Sequence, residues 1–197
     1  MPWKEVETKW HPLGHGKSWG RRTVMTPKGE IDEHILFGGT DWAVALAITA
    51  KIEVVAIRQY RAAQLGYEIE LPGGKIEPGQ DDLQTALREL REETGYAPQG
   101  EIVRLAKAHA NTAACVADCH PFLALNCRQD GQKNLEPTGD IEIKLIPLKE
   151  WLKWCFGLAQ EPAPDPMLNL ATMWALPHLA KLYPEVVGPF HWELYWT

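Results

Sequence analysis

Apolar runs alternate along the chain with polar breaks rich in glycine and proline, and their period changes from run to run. The stretch "DWAVALAIT", from Asp41, is nearly continuous in apolar side chains, the pattern of a strand covered on both faces. "EVVAIRQYR" (Glu53–Arg61) predicts a second strand, and "YEIEL" (67–71) a shorter one before Pro72. "EIVRLAKAHA" from Glu101, "HPFLALNC" from His120 and "IEIKLIPL" from Ile141 predict three more. Helices are expected over 149–156 and 165–176. The second opens with Asp165 as N-cap and Pro166 at the first helical position, and Pro177 is expected to end or kink it. "RQDGQKNLEPTGD" (128–140) and "AQEPAPDP" (159–166) read as loops. Strands outnumber helices and do not alternate with them one for one. The predicted fold class is therefore α/β of the α+β kind, an α/β/α sandwich around a mixed β-sheet.

One helix has a different character. In "ELPGGKIEPGQDDLQTALRELREETGY" (70–96), Leu83, Ala86, Leu87 and Leu90 fall at i, i+3, i+4 and i+7 and form one apolar stripe. Glu89, Glu92 and Glu93 share another face, and Gly95 stands where a left-handed C-cap is wanted. Like charges at that spacing repel, and the C-terminal end of a helix dipole disfavours them further. A divalent cation removes both penalties, and carboxylate oxygens are what Mg²⁺ or Mn²⁺ prefer. A solvated acidic face is the alternative, and the pattern alone leaves both open.

Composition narrows the classes. The chain has 197 residues, 45% of them hydrophobic and 23% charged, enough to bury a core. Its net charge of −6, with no basic run beyond Arg21-Arg22, argues against a nucleic-acid partner. There is no run of eighteen apolar residues, so no membrane span is expected, and the N-terminus has no apolar secretory core. Cys115, Cys119, Cys127 and Cys155 form no CxxC pair. Cys115, Cys119 and His120 lack a second ligand pair, so the four cysteines read as buried or half-buried thiols in a reducing, cytoplasmic setting.

Spacing then discriminates between the two readings of the acidic helix. Gly74, Arg88, Glu89, Leu90, Glu92, Glu93 and Gly95 fall on the pattern G-x5-E-x7-R-E-U-x-E-E-x-G-U, where U is a bulky aliphatic residue. This resembles the Nudix box, the signature of the Nudix hydrolases. Two positions depart: Tyr96 at the last U, and Gln80 where the family has a glutamate that pairs with the box arginine. Gln80 retains hydrogen-bonding capacity toward Arg88 but brings no charge. "RQYR" (58–61), "AAQLGYEIE" and "LPGG" together look like the approach to the box in ADP-ribose pyrophosphatases.

That resemblance implies a Nudix-type fold, and it implies Mg²⁺- or Mn²⁺-dependent hydrolysis of a nucleoside diphosphate linked to a group X. ADP-ribose or a related sugar nucleotide is the expected small-molecule substrate. It implies two or three ions held by Glu89, Glu92 and Glu93 beside Gly73, with Gly74, Gln80, Arg88 and Gly95 as the structural part of the box. It also implies that Arg58 and Arg61 meet phosphate or ribose oxygens, and that Glu70 adds a carboxylate near the metals. The glutamate that helps activate water in those enzymes aligns near Gly139, flanked by Glu136, Asp140 and Glu142; Asp140 is ranked first, ahead of Glu136. "HANTAACVADCHPFLA" (109–124) departs from the subfamily's Ser-Pro-Gly stretch, and Asn111 and His120 read there as a satisfied loop asparagine and a half-buried histidine. Trp151, Trp154 and Trp174 are expected in the core, and Trp19 or Trp42 beside the base. Aromatic terminal segments suggest a homodimer. The expected divisions are an N-terminal strand segment at 1–40, a hydrolase domain at 41–184 and a tail at 185–197. Two alternatives remain: another diphosphate substrate, such as a dinucleoside polyphosphate or a GDP-sugar, and a catalytically weak nucleotide sensor.

Overall fold

The computed structural model describes residues 2–14, 16–131, 141–159 and 165–188. Strands β1 (Lys4–Gly14), β2 (Lys17–Met25) and β3 (Ile31–Gly38) form an antiparallel sheet in that order. β4 (Trp42–Thr49) and β5 (Glu53–Arg61) begin a second sheet, followed by the short β6 (Gly66–Glu70) and β7 (Gly73–Lys75). Helix α1 (Asp82–Thr94) leads into β8 (Tyr96–Ala97), β9 (Ile102–Arg104) and β10 (Ala108–His109), then the long β11 (Asp118–Gln129) and β12 (Glu142–Pro147). Helices α2 (Leu148–Cys155), α3 (Pro166–Leu182) and α4 (Pro184–Val187) follow. The main path of the second sheet runs β10-β11-β4-β5-β12. β11 lies parallel to β4 while β5 pairs antiparallel with β4 and β12, so the sheet is mixed as expected.

Strand alternation divides the core between the two faces of this sheet. Ala43, Ala45 and Ala47 of β4 face α1, where they pack with Ala86 and Leu90 of the helix and Phe122 and Ala124 of β11. Val44, Leu46 and Ile48 face the other way, against Trp151 and Leu152 of α2 and Leu168, Ala171 and Leu179 of α3. The result is the α/β/α sandwich. Trp151 is fully buried, and Trp154 and Trp174 pack against the same cluster, as the sequence predicts. All four cysteines are free thiols, two buried and two half-buried. Among the described residues, no helix is long and apolar enough to cross a membrane.

Two prolines alter the expected elements. The strand expected from Glu101 is split into β9 and β10, because Pro121 of the neighbouring β11 has no N–H to continue the ladder; only its carbonyl is used, accepting from the Leu105 N–H. Pro177 does not end α3, which runs on to Leu182. The carbonyl that Pro177 leaves without an intrahelical partner belongs to Met173, which is 52% exposed, so water can serve it.

Trp151 should be the largest single contributor to the core on the α2 and α3 face of the sheet, because its buried ring is also held by an Nε1–H bond to Thr172 Oγ1 at 2.9 Å. Trp151→Ala is expected to destabilise the fold by about 3–5 kcal/mol. The check is urea unfolding, with the midpoint lowered and the slope unchanged; a loss below about 1 kcal/mol contradicts this placement of the core.

Candidate functional site

Helix α1 starts on Asp81, whose side chain accepts from the Gln84 N–H at 2.9 Å, and ends on Gly95 at φ 74°. The Asp81-x-x-Gln84 spacing is a capping signal present in the sequence. Between these caps Ala86 and Leu90 face the sheet. Glu89 lies three residues beyond Ala86, and Glu93 three beyond Leu90, so both turn toward β7, whereas Glu92 points outward. Their side-chain exposures differ accordingly, 18% for Glu89 and 43% for Glu92.

The Pro72-Gly73-Gly74 turn is shaped to receive these carboxylates. β7 pairs with β4, Gly74 opposite Ala43 and Gly73 opposite Val44. A Cβ on Gly74 would overlap the Glu89 carboxylate, and one on Gly73 would overlap the Ala43 carbonyl oxygen. Only glycine lets the helix come this close. The Gly73 N–H donates to Glu93 Oε2 at 3.0 Å. Burial pushes the Glu93 carboxyl up to about 8; the Gly73 N–H and Arg61 draw it down in part, and repulsion from Glu89 and Glu70 raises it further.

Arg88 does not meet Gln80. It donates to Glu89 Oε1 and Glu92 Oε2, each at 2.7 Å, while Gln80 Oε1 accepts from Thr85 Oγ1 at 3.4 Å. The neutral amide competes poorly with two carboxylates for a guanidinium. Arg58 and Arg61 also part company. Three residues apart on β5, they alternate to opposite faces of the sheet. Arg61 pairs through two hydrogen bonds with Glu70, on the face of α1, whereas Arg58 lies 4.2 Å over the Tyr67 ring and 3.5 Å from Glu142. The Glu70 bond raises the Arg61 pKa, and Glu93 and Asp165 add to it through space. Trp19 stacks on His11 at 4.4 Å within the N-terminal sheet. Asp140, with Glu136 and Gly139, lies outside the described residues.

Two cavities meet at this point, sharing Trp42, Arg61 and Gly73. One, of about 370 Å³, continues past Glu70 to Asp165 and Met167 at the start of α3. The other, of about 530 Å³, runs under the N-terminal sheet past Lys75, Lys17, Phe37 and Thr40. Thr40 Oγ1 is buried and has no hydrogen-bond partner among the described residues. Trp42, expected beside the base, lines both cavities, whereas Asp165 and Lys75 join the expected residues only through tertiary structure. His120 stands apart, half-buried, with its ring nitrogens 2.7 Å from Asp82 and 3.2 Å from Asp41, and Asn111 Oδ1 accepts from the Ala113 N–H.

Among the described residues, no group of three or more His, Cys, Asp or Glu side chains is gathered closely enough to hold a metal ion. The expected set of Gly73, Glu89, Glu92 and Glu93 is therefore not preassembled, because Arg88 engages two of its carboxylates and the glycine turn the third. In kind the donors fit a hard divalent cation. All are oxygens, three carboxylates and the Gly73 carbonyl, and Glu93 is a half-buried acid short of positive charge.

The NUDIX domain profile matches residues 39–163, more than half of the chain, and the chain belongs to the NUDIX family. Its class is that of the Nudix pyrophosphohydrolases. Within that class it is related to ADP-ribose and ADP-sugar pyrophosphatases. It is 26% identical over 132 residues to the ADP-ribose pyrophosphatase of Bacillus subtilis, covering 66% of this chain and 70% of that one. It is 32% identical over 105 residues to the ADP-sugar pyrophosphatase of Mus musculus, covering 53% and 45%. The aligned stretch thus spans most of the bacterial enzyme but less than half of the mouse enzyme. A solved structure described as an ADP compounds hydrolase superposes with a TM-score of 0.74 at 16% identity, over 91% of this chain and 94% of that one, a likeness of fold.

The Glu93 environment generates a pH dependence. Its folded-state value, about 8, lies above the ordinary 4.5. The folded protein therefore holds this proton more tightly than the unfolded chain. The resulting stability is full below about pH 4.5 and is lost as pH rises through 8. Without divalent ions, the melting temperature of Glu93→Gln relative to the parent should rise by several degrees between about pH 5.5 and about pH 8.5, taking on the order of 2–4 °C per kcal/mol. A difference that stays constant across that range contradicts the burial of this carboxyl.

Proposed function

We propose that this protein hydrolyses the pyrophosphate bond of a nucleoside diphosphate derivative, ADP-ribose or a related sugar nucleotide, with Mg²⁺ or Mn²⁺. The observation that carries this reading is the half-buried Glu93 carboxyl on the N–H of Gly73, which lies with the Arg61 of the Arg61–Glu70 pair at the junction of two cavities. A substrate with a pyrophosphate between two arms matches a charged junction between two pockets.

Glu89, Glu92 and Glu93 are the residues that would hold the cation, and NUDIX hydrolases generally use divalent ions. When bound, such an ion neutralises pyrophosphate charge and lowers the pKa of a water. The chain's own groups do the rest. Arg61, oriented by the two bonds it donates to Glu70, offers its remaining guanidinium N–H groups to phosphate oxygens. The glycine turn brings backbone close without side chains in the way, and Arg88 orients Glu89 and Glu92. The aromatic faces of Trp42 and Phe37, with the unpartnered Thr40 hydroxyl, suit the larger cavity to the nucleoside. Water's oxygen bonds to one phosphorus, the bridging P–O bond breaks, and the products are a nucleoside monophosphate and phosphorylated X.

A homodimer belongs to the same reading, supported by exposed Val6, Leu13 and Ile35 on the N-terminal sheet and Trp3 just before it. So does a cytoplasmic setting, supported by the free thiols. The second reading, a weak nucleotide sensor, draws on Gln80, which bonds Thr85 and contributes no charge.

Incubation with nucleoside diphosphate derivatives and Mg²⁺, with and without EDTA, separates these readings. AMP and ribose 5-phosphate from ADP-ribose, abolished by EDTA and reduced about a hundredfold or more in Glu93→Gln, is the expected result. Cleavage of a different derivative replaces the substrate, and Mg²⁺-dependent binding without turnover favours the sensor.

A further inference from the structure

The two cavities that meet at Trp42, Arg61 and Gly73 carry opposite electrostatics. The larger is lined by Lys17, Lys75 and Arg61 and, among the described residues, by no acidic one. The smaller has Glu70 and Asp165 around the shared Arg61, with Trp42, Met167 and Leu168 as its apolar wall. Arg61 donates two bonds to Glu70 and feels Asp165 only through space, so among the described lining residues two carboxylates face one guanidinium. Asp165 Oδ1 caps α3 by accepting from the Met167 N–H at 2.7 Å. That bond uses one of the acceptor sites of a carboxylate; the others are suited to hydroxyl donors. A carboxylate repels a phosphate and accepts hydrogen bonds from a polyol, so its effect depends on what the second arm of the substrate carries.

We infer that the smaller cavity receives the group X and that Asp165 selects an uncharged polyhydroxyl X over an X that bears a phosphate of its own. This rests on the nucleoside diphosphate reading and names the substrate class within it. The α3 N-cap is the specificity-determining position, and it acts from the face of the sheet opposite to α1. A sugar such as a pentose, with hydroxyls and no charge, is the class of X that fits. A second phosphorylated arm, as in a dinucleoside polyphosphate, is rejected.

The test compares kcat/KM for ADP-ribose and for ADP-ribose 1″-phosphate in the parent and in Asp165→Asn. Asparagine caps a helix as well as aspartate does, so the variant should melt with the parent, whereas Asp165→Ala should melt lower. The expected result is a parent preference for ADP-ribose that falls by about tenfold in Asp165→Asn, with much of the change in KM and a smaller effect at high salt. An unchanged preference in a variant that melts normally overturns the role of Asp165 and leaves the hydrolase reading intact. Failure of the parent to turn over either compound overturns the reading itself and this inference with it.

Discussion

Everything at the site depends on how closely α1 can approach the sheet. Ala43, Ala45 and Ala47 give β4 almost no side-chain height on that face, and Gly73 and Gly74 give β7 none. Leu90 and Ala86 settle into the space, and the next residues around the helix, Glu89 and Glu93, are carried down with them. A carboxylate placed there loses water. It is compensated by a single backbone N–H and a shared arginine, and its pKa rises toward 8. The hydrophobic packing of one helix face thus creates an electrostatic deficit on its flank, which a divalent cation would fill under the proposed function.

Much of this was legible in the chain. The spacing of Gly74, Arg88, Glu89, Glu92, Glu93 and Gly95 identifies the family, and the alternation in β4 and β5 identifies the sheet, because both signals are local. What was not legible involves competition between partners. Gln80 has the reach to bond Arg88, but two carboxylates on the same helix outbid an amide, and Thr85 takes Gln80 instead. Arg58 and Arg61 read as a pair in "RQYR", yet strand alternation sends them to opposite faces, one to Glu70 and one to Tyr67. Asp165 was legible as an N-cap. That the cap stands at the mouth of a cavity depends on α3 crossing the sheet, which no local pattern encodes. Likewise Pro121 lies inside an apolar run that predicts a strand, and its effect falls on the neighbour, which is divided into β9 and β10.

The arrangement also accounts for how a chain of net charge −6 can face an anionic ligand. Bulk charge is unfavourable, so attraction has to be local. Lys17, Lys75 and Arg61 line one cavity, and under the proposed function a bound cation would offset the charge of the α1 glutamates. Arg88 pairs with both Glu89 and Glu92, which lowers the repulsion that three glutamates on one helix would otherwise impose.

The central claim is that Glu93 is a cation ligand kept short of charge by its burial. Calorimetric titration of the metal-free parent and of Glu93→Gln with Mn²⁺ near neutral pH tests it most directly. The account predicts saturable binding by the parent and an affinity weaker by about tenfold or more in the variant. Equal affinities in the two proteins, or no binding by the parent, would contradict it.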